Sequence, residues 1–272
     1  MIGLPSGAGY DRTIIMFDPK GRIFQVEYAM KAVRRGKPCI GVRYTNGVVI
    51  AIQRITDPLQ DEDSLRKTFL LDDHILAAFA GITADARVLL EEGRINAQNY
   101  MLTYDMPISV ESATRQISDV MQTYTQNGGV RPFGVALLIG GVDERGPHLF
   151  MTYPSGSYWE FKSAAIGQGM NEAMKYLQKR YIELAGGEEN NRFIESASDA
   201  IVLSLEALLH VNQWEKIDAK EIEVGYIDIK DRKVHFLTEK ENEEYLKKAM
   251  LAKEKEAKAP PAPETDRSEP SA

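Results

Sequence analysis

Between Arg22 and Arg34 apolar residues recur three and four positions apart, at Ile23, Val26, Met30 and Val33, with Phe24, Tyr28 and Ala32 widening the stripe to one side. That spacing predicts an amphipathic helix. Asp18-Pro19-Lys20-Gly21 ahead of it fits a type I turn, in which Asp accepts backbone amides, Pro presets the second position and Gly suits the fourth. Lys31, Arg34 and Arg35 put positive charge where the helix dipole favours it, and Gly36 supplies the stop. On pattern alone such a helix is either a packing element or a presequence.

After Gly36 the period shortens. Cys39–Tyr44 and Val48–Gln53 are β-branched runs around Thr45-Asn46-Gly47, a hairpin with an Asn-Gly turn, and Thr68–Leu71 with Ile75–Ala80 forms a second around a polar turn. Two helices follow. The first starts from a Thr83 cap, turns Ala86, Leu89, Leu90 and Ile95 inward, is weakened by Gly93 and reaches about Tyr104 before Pro107 breaks it. Ser109 caps the second, whose buried face is Ile117, Val120, Met121 and Tyr124 and which Gly128-Gly129 end. Strands are expected at Gly134–Gly140, His148–Thr152 and Tyr158–Ala165, helices at Met170–Leu184 and Phe193–Val211, and a last strand pair at Glu221–Ile229 and Val234–Leu237. Helices covering both faces of a two-sheet sandwich satisfy that order, so the predicted fold class is α+β in four layers, αββα, with an extra N-terminal helix. Glu239–Lys255 reads as a charged surface helix, and 256–272, rich in Ala, Pro and Glu, as a disordered tail. The expected division is therefore 1–36, 37–240, 241–255 and 256–272.

Composition narrows the classes of function. A chain of 272 residues, 43% hydrophobic and 27% charged, suits one large globular domain. Its formal charge of -7 argues against nonspecific nucleic-acid binding, and no run approaches a membrane span. MIGLPSGAGYDR lacks the basic start and apolar run of a signal peptide, so export is not expected. The single cysteine, Cys39, sits in the apolar run CIGV, reads as a core residue and fits a reducing cytoplasm. His74, His148, His210 and His235 are scattered, Asp72-Asp73-His74 reads as a turn, and no nucleotide-binding glycine motif occurs. Neither a metal nor a cofactor is expected.

The order of residues is more specific than the pattern. Tyr10-Asp11-Arg12, Asp18-Pro19-x-Gly21-Arg22, Gln25-Val26-Glu27-Tyr28-Ala29 and Val33-x-x-Gly36 resemble the signature of proteasome α-type subunits, most of all the archaeal ones. Gly81-Ile82-x-Ala84-Asp85-Ala86-Arg87, Tyr124-Thr125-Gln126-x-Gly128-Gly129-Val130-Arg131-Pro132-Phe133-Gly134 and Pro154-Ser155-Gly156 continue the likeness in register. The resemblance implies the N-terminal-nucleophile hydrolase fold.

That fold raises the alternative of a self-processed peptide or amide hydrolase. Catalytic members begin the first strand with Thr, Ser or Cys, whose free amine serves as base. Here the corresponding residue is Lys37, followed by Pro38, and Lys37 has neither hydroxyl nor thiol. The resemblance instead implies a non-catalytic role, in which seven α subunits form a ring that caps proteolytic β subunits and admits unfolded polypeptide.

Three sets of site residues follow from the resemblance. Met1 to about Ala8 is either an axial plug or a frayed terminus, and Tyr10, Asp11, Arg12, Pro19 and Tyr28 correspond to the contacts that hold an open gate. Lys67, with Gly36 and the wall Gly81-Ile82, corresponds to the pocket where a regulatory AAA+ ATPase inserts its hydrophobic-Tyr-x C-terminus, the lysine pairing with the terminal carboxylate. Asn127, Gly128, Gly129, Val130 and Arg131 correspond to the loop lining the entrance pore. The sequence departs from the family at Ile52, where an acid is common, at Pro58 in the loop before Lys67, and at Met30, often Arg.

Overall fold

The structure, a computed structural model, describes residues 17–54, 59, 67–187 and 192–258. Over these residues α1 (Phe24–Val33) precedes two hairpins, β1 (Cys39–Tyr44) with β2 (Gly47–Gln53) and β3 (Thr68–Asp72) with β4 (Ile75–Gly81). Next come α2 (Thr83–Tyr104), α3 (Val110–Gln126), β5 (Val135–Asp143), β6 (Gly146–Thr152), β7 (Tyr158–Glu160) and β8 (Ser163–Ile166). The sequence closes with α4 (Met170–Leu184), α5 (Ala197–Val211), β9 (Ile222–Asp228), β10 (Val234–Phe236) and α6 (Glu239–Lys258).

The strands pair antiparallel in two five-stranded sheets, ordered β10-β9-β2-β1-β8 and β3-β4-β5-β6-β7. Period-two alternation then sorts side chains between layers. On β4, Leu76, Ala78 and Ala80 fill the space between the sheets, while Ile75, Ala77 and Phe79 face α2 and α3. On β2, Val48, Ile50 and Ile52 point between the sheets and Val49 and Ala51 face the α4–α5 layer. Three apolar cores, one at each contact between successive layers, make the four-layer sandwich. Ile52 is fully buried in the middle one, where an acid would sit among apolar side chains.

The structure redraws five local expectations. Tyr158–Ala165 is not one strand: β7 belongs to one sheet and β8 to the other, with Phe161 N donating to Leu149 O and Arg43 N to Lys162 O where the chain crosses. Helix α5 starts at Ala197, because Ser196 caps it by accepting from Asp199 N at 3.1 Å, and Ile194 bridges to Tyr44 instead of turning helical. Thr83 does not cap α2; Ile82 occupies the cap position without a side-chain bond. Ile95 is 45% exposed, with Gly93 in the inner position, and Tyr124, expected on the buried face of α3, is 37% exposed at its end.

Gly93 is there for space. A Cβ on it would lie 2.7 Å from Ile117 Cδ1 and 3.2 Å from Leu71 Cδ2, so its bareness lets α2 and α3 close over β3. Ser109 does cap α3, accepting from Ser112 N at 3.2 Å, and Ile117 and Met121 are fully buried beneath it. On the far side α6 is tied down by Thr238 and Glu241, whose side chains bond each other's backbone amides, and it lays Tyr245, Leu246, Ala249 and Met250 on the α5 core. Overpacking at the α2–α3 contact has a measurable consequence. Gly93→Val is expected to lower stability by about 1–3 kcal/mol despite the better helix propensity of valine, read as a lower denaturant midpoint; an unchanged midpoint would contradict the close contact.

Candidate functional site

The N-terminal turn is organised by one carboxylate. Asp18 accepts from Lys20 N at 3.0 Å, Arg22 N at 2.8 Å and the Arg22 guanidinium at 2.8 Å, while Gly21 adopts φ 74 and donates to Asp18 O. The Arg22 backbone amide, then the Arg22 side chain, hold the Asp18 carboxyl below its ordinary range. Pro19 is exposed beside it, and Tyr28 is 39% exposed on α1, its ring stacked on Phe24 at 6.3 Å with Lys31 5.0 Å above it. Pro19 and Tyr28 thus stand on the outer surface of this segment, and Tyr10, Asp11 and Arg12 lie outside the described residues.

Behind α1 the backbones converge. A Cβ on Gly36 would lie 2.5 Å from Gly81 N, one on Gly81 2.1 Å from Gly134 O, and one on Gly167 2.5 Å from Lys37 O. Gly81 has φ 126, and Gln168 N donates to Gly36 O at 2.8 Å. The chain therefore leaves α1, whose Val33 is fully buried, and enters β1 through a passage with no room for side chains. Lys37 and Pro38 occupy the head of β1, where a hydrolase of this architecture would place its nucleophile. Cys39, two residues on, is fully buried and donates to Phe79 O at 3.2 Å. Burial pushes its thiol up to about 12, so it offers no thiolate near neutral pH.

Lys67 enters β3 beside this passage. Its Nζ lies 6.0 Å from the Phe79 ring centroid, two residues before Gly81 on β4. Burial lowers the Lys67 pKa and nearby Lys37 lowers it further, opposed by Cys39 and Glu223. Next to it, Thr68 Oγ1 donates to Glu223 Oε1 across the gap between the sheets. Lys67, Gly36 and Gly81 are thus gathered at one end of the sandwich, and Ile82, 39% exposed, continues the wall. Pro58 lies outside the described residues.

The loop after α3 is held from below. Asn127, Gly128 and Gly129 are exposed, Gly129 has φ 92, and among the described residues nothing lies within 4 Å of where a Cβ would sit on either glycine. Val130 is half-buried. Arg131 then grips Asp85 with two bonds of 2.6 and 2.8 Å, and Gly134 N donates to the same carboxylate at 2.8 Å. Burial alone would raise the Asp85 pKa, but the Arg131 guanidinium and the Gly134 amide bring it below the usual carboxylate range. Tyr124 and Phe133 rings pack 4.5 Å apart beneath the loop. Since Ile82 N also donates to Gly134 O at 2.9 Å, the Gly81-Ile82 wall and the glycine loop share one anchor. Sequence reasoning placed Arg131 in the pore loop and Asp85 in a matched motif but did not pair them, and it did not single out Thr68 or Glu223; the acid in the first turn of α2 was the available signal for Asp85. Pro154-Ser155-Gly156 is also placed by contact, a Cβ on Gly156 lying 2.6 Å from Gln122 N of α3.

The chain is similar to known proteins over most of its length. Residues 33–227 match the family described as Proteasome subunit, and residues 10–32 match the N-terminal signature of its A-type subunits. The proteasome alpha subunit of Thermococcus sibiricus is 43% identical over 270 residues, 99% of this chain and 98% of that protein. Proteins of the same name are 45% identical over 251 residues in Thermococcus sp., 92% of each chain, and 43% identical over 247 residues in Sulfolobus acidocaldarius, 90% of this chain and 98% of that one.

Two measurements check the site chemistry. Cys39 is expected to resist alkylation at pH 8 in the folded chain and to react on denaturation; rapid labelling of the native chain would place the thiol outside the core. Asp85 has a depressed folded pKa, so its contribution is present above the unfolded value near 4 and lost as pH falls through the folded one. Asp85→Asn should cost about 1.5–3 kcal/mol at pH 7 and flatten that acid limb of the stability profile. A variant with the wild-type profile would remove the ion pair from the account.

Proposed function

The chain belongs to the proteasome subunit family, and from that premise we propose that it acts as the substrate gate and activator platform of a proteasome core particle. It is a non-catalytic outer-ring α subunit that assembles with other proteasome subunits. The observation that carries the functional reading is the head of β1: Lys37 stands where a nucleophile would be, α1 leads to it through the turn at Gly36, and the nearest thiol, Cys39, is buried and protonated. An Ntn-type hydrolase needs a new N-terminus there, and the packing of α1 against β4 and β5 opposes the cut that would create it.

The finer reading has three parts. Seven copies or relatives form a ring over β subunits, which carry the catalytic threonines, in the cytoplasm. Tyr10, Asp11, Arg12, Pro19 and Tyr28 select the open arrangement of the gate, for which the exposed Pro19 and Tyr28 leave contact surface available. Lys67, with Gly36, Gly81 and Ile82, receives the C-terminal carboxylate of an AAA+ ATPase ending in hydrophobic-Tyr-x. The lysine supplies direction, and Gly36 and Gly81, packed backbone to backbone, supply a firm floor beside it. Asn127 to Val130 line the bore, which the two uncrowded glycines keep clear for an extended, unfolded polypeptide, and Arg131 holds the loop's base.

The purified chain, a matching β partner and their mixture are to be compared by intact mass, native mass and peptide hydrolysis. An uncut chain, inactive alone and active as a ring with β, is the expected outcome; a chain trimmed before Cys39 that hydrolyses peptides by itself sinks the reading. In the assembled particle, Lys67→Ala should weaken binding of a hydrophobic-Tyr-x peptide about tenfold to a hundredfold. Because burial lowers the Lys67 pKa, wild-type docking should fade as pH rises, at a lower pH than for an exposed lysine, while Lys67→Arg stays charged and retains binding. Equal affinity of all three across pH would remove Lys67 from the pocket.

A further inference from the structure

At the end of β9, where Glu223 meets Thr68, lies a notch of about 200 Å3. Arg54, Lys220, Glu223, Phe236, Glu239 and Asn242 border it. Two side-chain oxygens there, Glu223 Oε2 and Asn242 Oδ1, are buried with no hydrogen-bond partner among the described residues. Asn242 is only 3% exposed, and its amide orientation is fixed because Nδ2 donates to Ile222 O at 3.1 Å, so the oxygen is the atom left over. Glu223 spends its other oxygen on Thr68. A buried acceptor without a donor is costly, and a carboxylate oxygen more so.

Both orphaned atoms accept, so whatever fills the notch must donate at least twice. Arg54 borders the notch, but its Nε is held by Lys220 O at 2.7 Å and it bonds neither acceptor. With Arg54 and Lys220 opposing Glu223 and Glu239, the border carries no net formal charge, which leaves selection to the two acceptors and not to a long-range field. Phe236, 39% exposed, adds an aromatic face at the rim. We propose that this notch binds a guanidinium group, one fork of donors on Glu223 and Asn242 and its plane against Phe236. Guanidinium is the side-chain cation that combines several donors in one plane with weak hydration and affinity for aromatic faces. Glu223 also acts on Lys67 through its charge, but neither Glu223 nor Asn242 is among the residues assigned to the docking of the ATPase tail, and the arginine titration reads the notch without it.

The test is calorimetric titration of the full-length chain with N-acetyl-L-arginine amide, its uncharged isostere N-acetyl-L-citrulline amide, and agmatine. Saturable binding of the arginine amide, at least tenfold weaker for the citrulline compound, is expected. Glu223→Gln should weaken it at least tenfold while keeping the Thr68 bond, and Phe236→Ala, which removes the aromatic face at the rim, should weaken it severalfold. Tighter binding of the arginine amide than of agmatine assigns the ligand to a protein-borne arginine, and the reverse order to a free guanidino compound. Absence of saturable heat, equal affinity for the citrulline compound, or affinities unchanged in both variants overturns the proposal. Should Glu223→Gln fail to fold, the Phe236→Ala loss, at an exposed rim position, decides the matter alone.

Discussion

At the mouth of the sandwich, backbone lies directly on backbone. Gly36 abuts Gly81, Gly81 abuts the carbonyl of Gly134, and Gly167 abuts the carbonyls of Lys37 and Gly36. These contacts draw together the exit of α1 and the ends of β4, β5 and β8, four segments far apart in sequence. A Cβ at Gly36, Gly81 or Gly167 would fall well inside van der Waals distance of a backbone atom, which cannot move aside as a flexible side chain can. Through them α1 is seated against the sheets, β1 begins behind it, and the place a nucleophile would need is closed.

From this seat the neighbouring chemistry follows. The carbonyl of Gly134 receives Ile82 N, its amide reaches Asp85, and Asp85 holds Arg131, so the Gly81-Ile82 segment and the base of the glycine loop rest on one short stretch of chain. The satisfied carboxylates here, Asp18 and Asp85, are held in ionised form by several donors each. Glu223 differs, with one oxygen bonded and the other buried and idle. Carboxylates that complete their bonds internally serve the fold, while one left half-satisfied leaves interaction capacity for something outside the chain.

Much of the architecture was legible because periodicity is local. The helix α1, the apolar runs of β1 and β2 joined as a hairpin, and the Ser109 cap each depend on residues a few positions apart, and each stands as expected. The misreadings arose where distant partners decide. Tyr158–Ala165 alternates like one strand, yet its halves pair with β6 and β1 in separate sheets. Gly93 reads as a helix weakness until Ile117 is seen above it. Ile95 has the right chemistry for the core but points outward, since the angle at which α2 meets β3 is not written in α2 alone.

By itself the sequence determined the family, the layer order and the absence of a hydroxyl or thiol at Lys37, because motifs in register and residue types need no coordinates. It also marked Lys67, Arg131 and the glycines as notable. Only the tertiary structure decided what they touch: that Asp85 holds Arg131, that burial silences Cys39, that Lys67 stands beside Phe79, and that Glu223 and Asn242 share a notch. The physical reason is that hydrogen bonds, desolvation and close packing depend on distances across the fold, between residues whose separation in sequence carries no information about their separation in space.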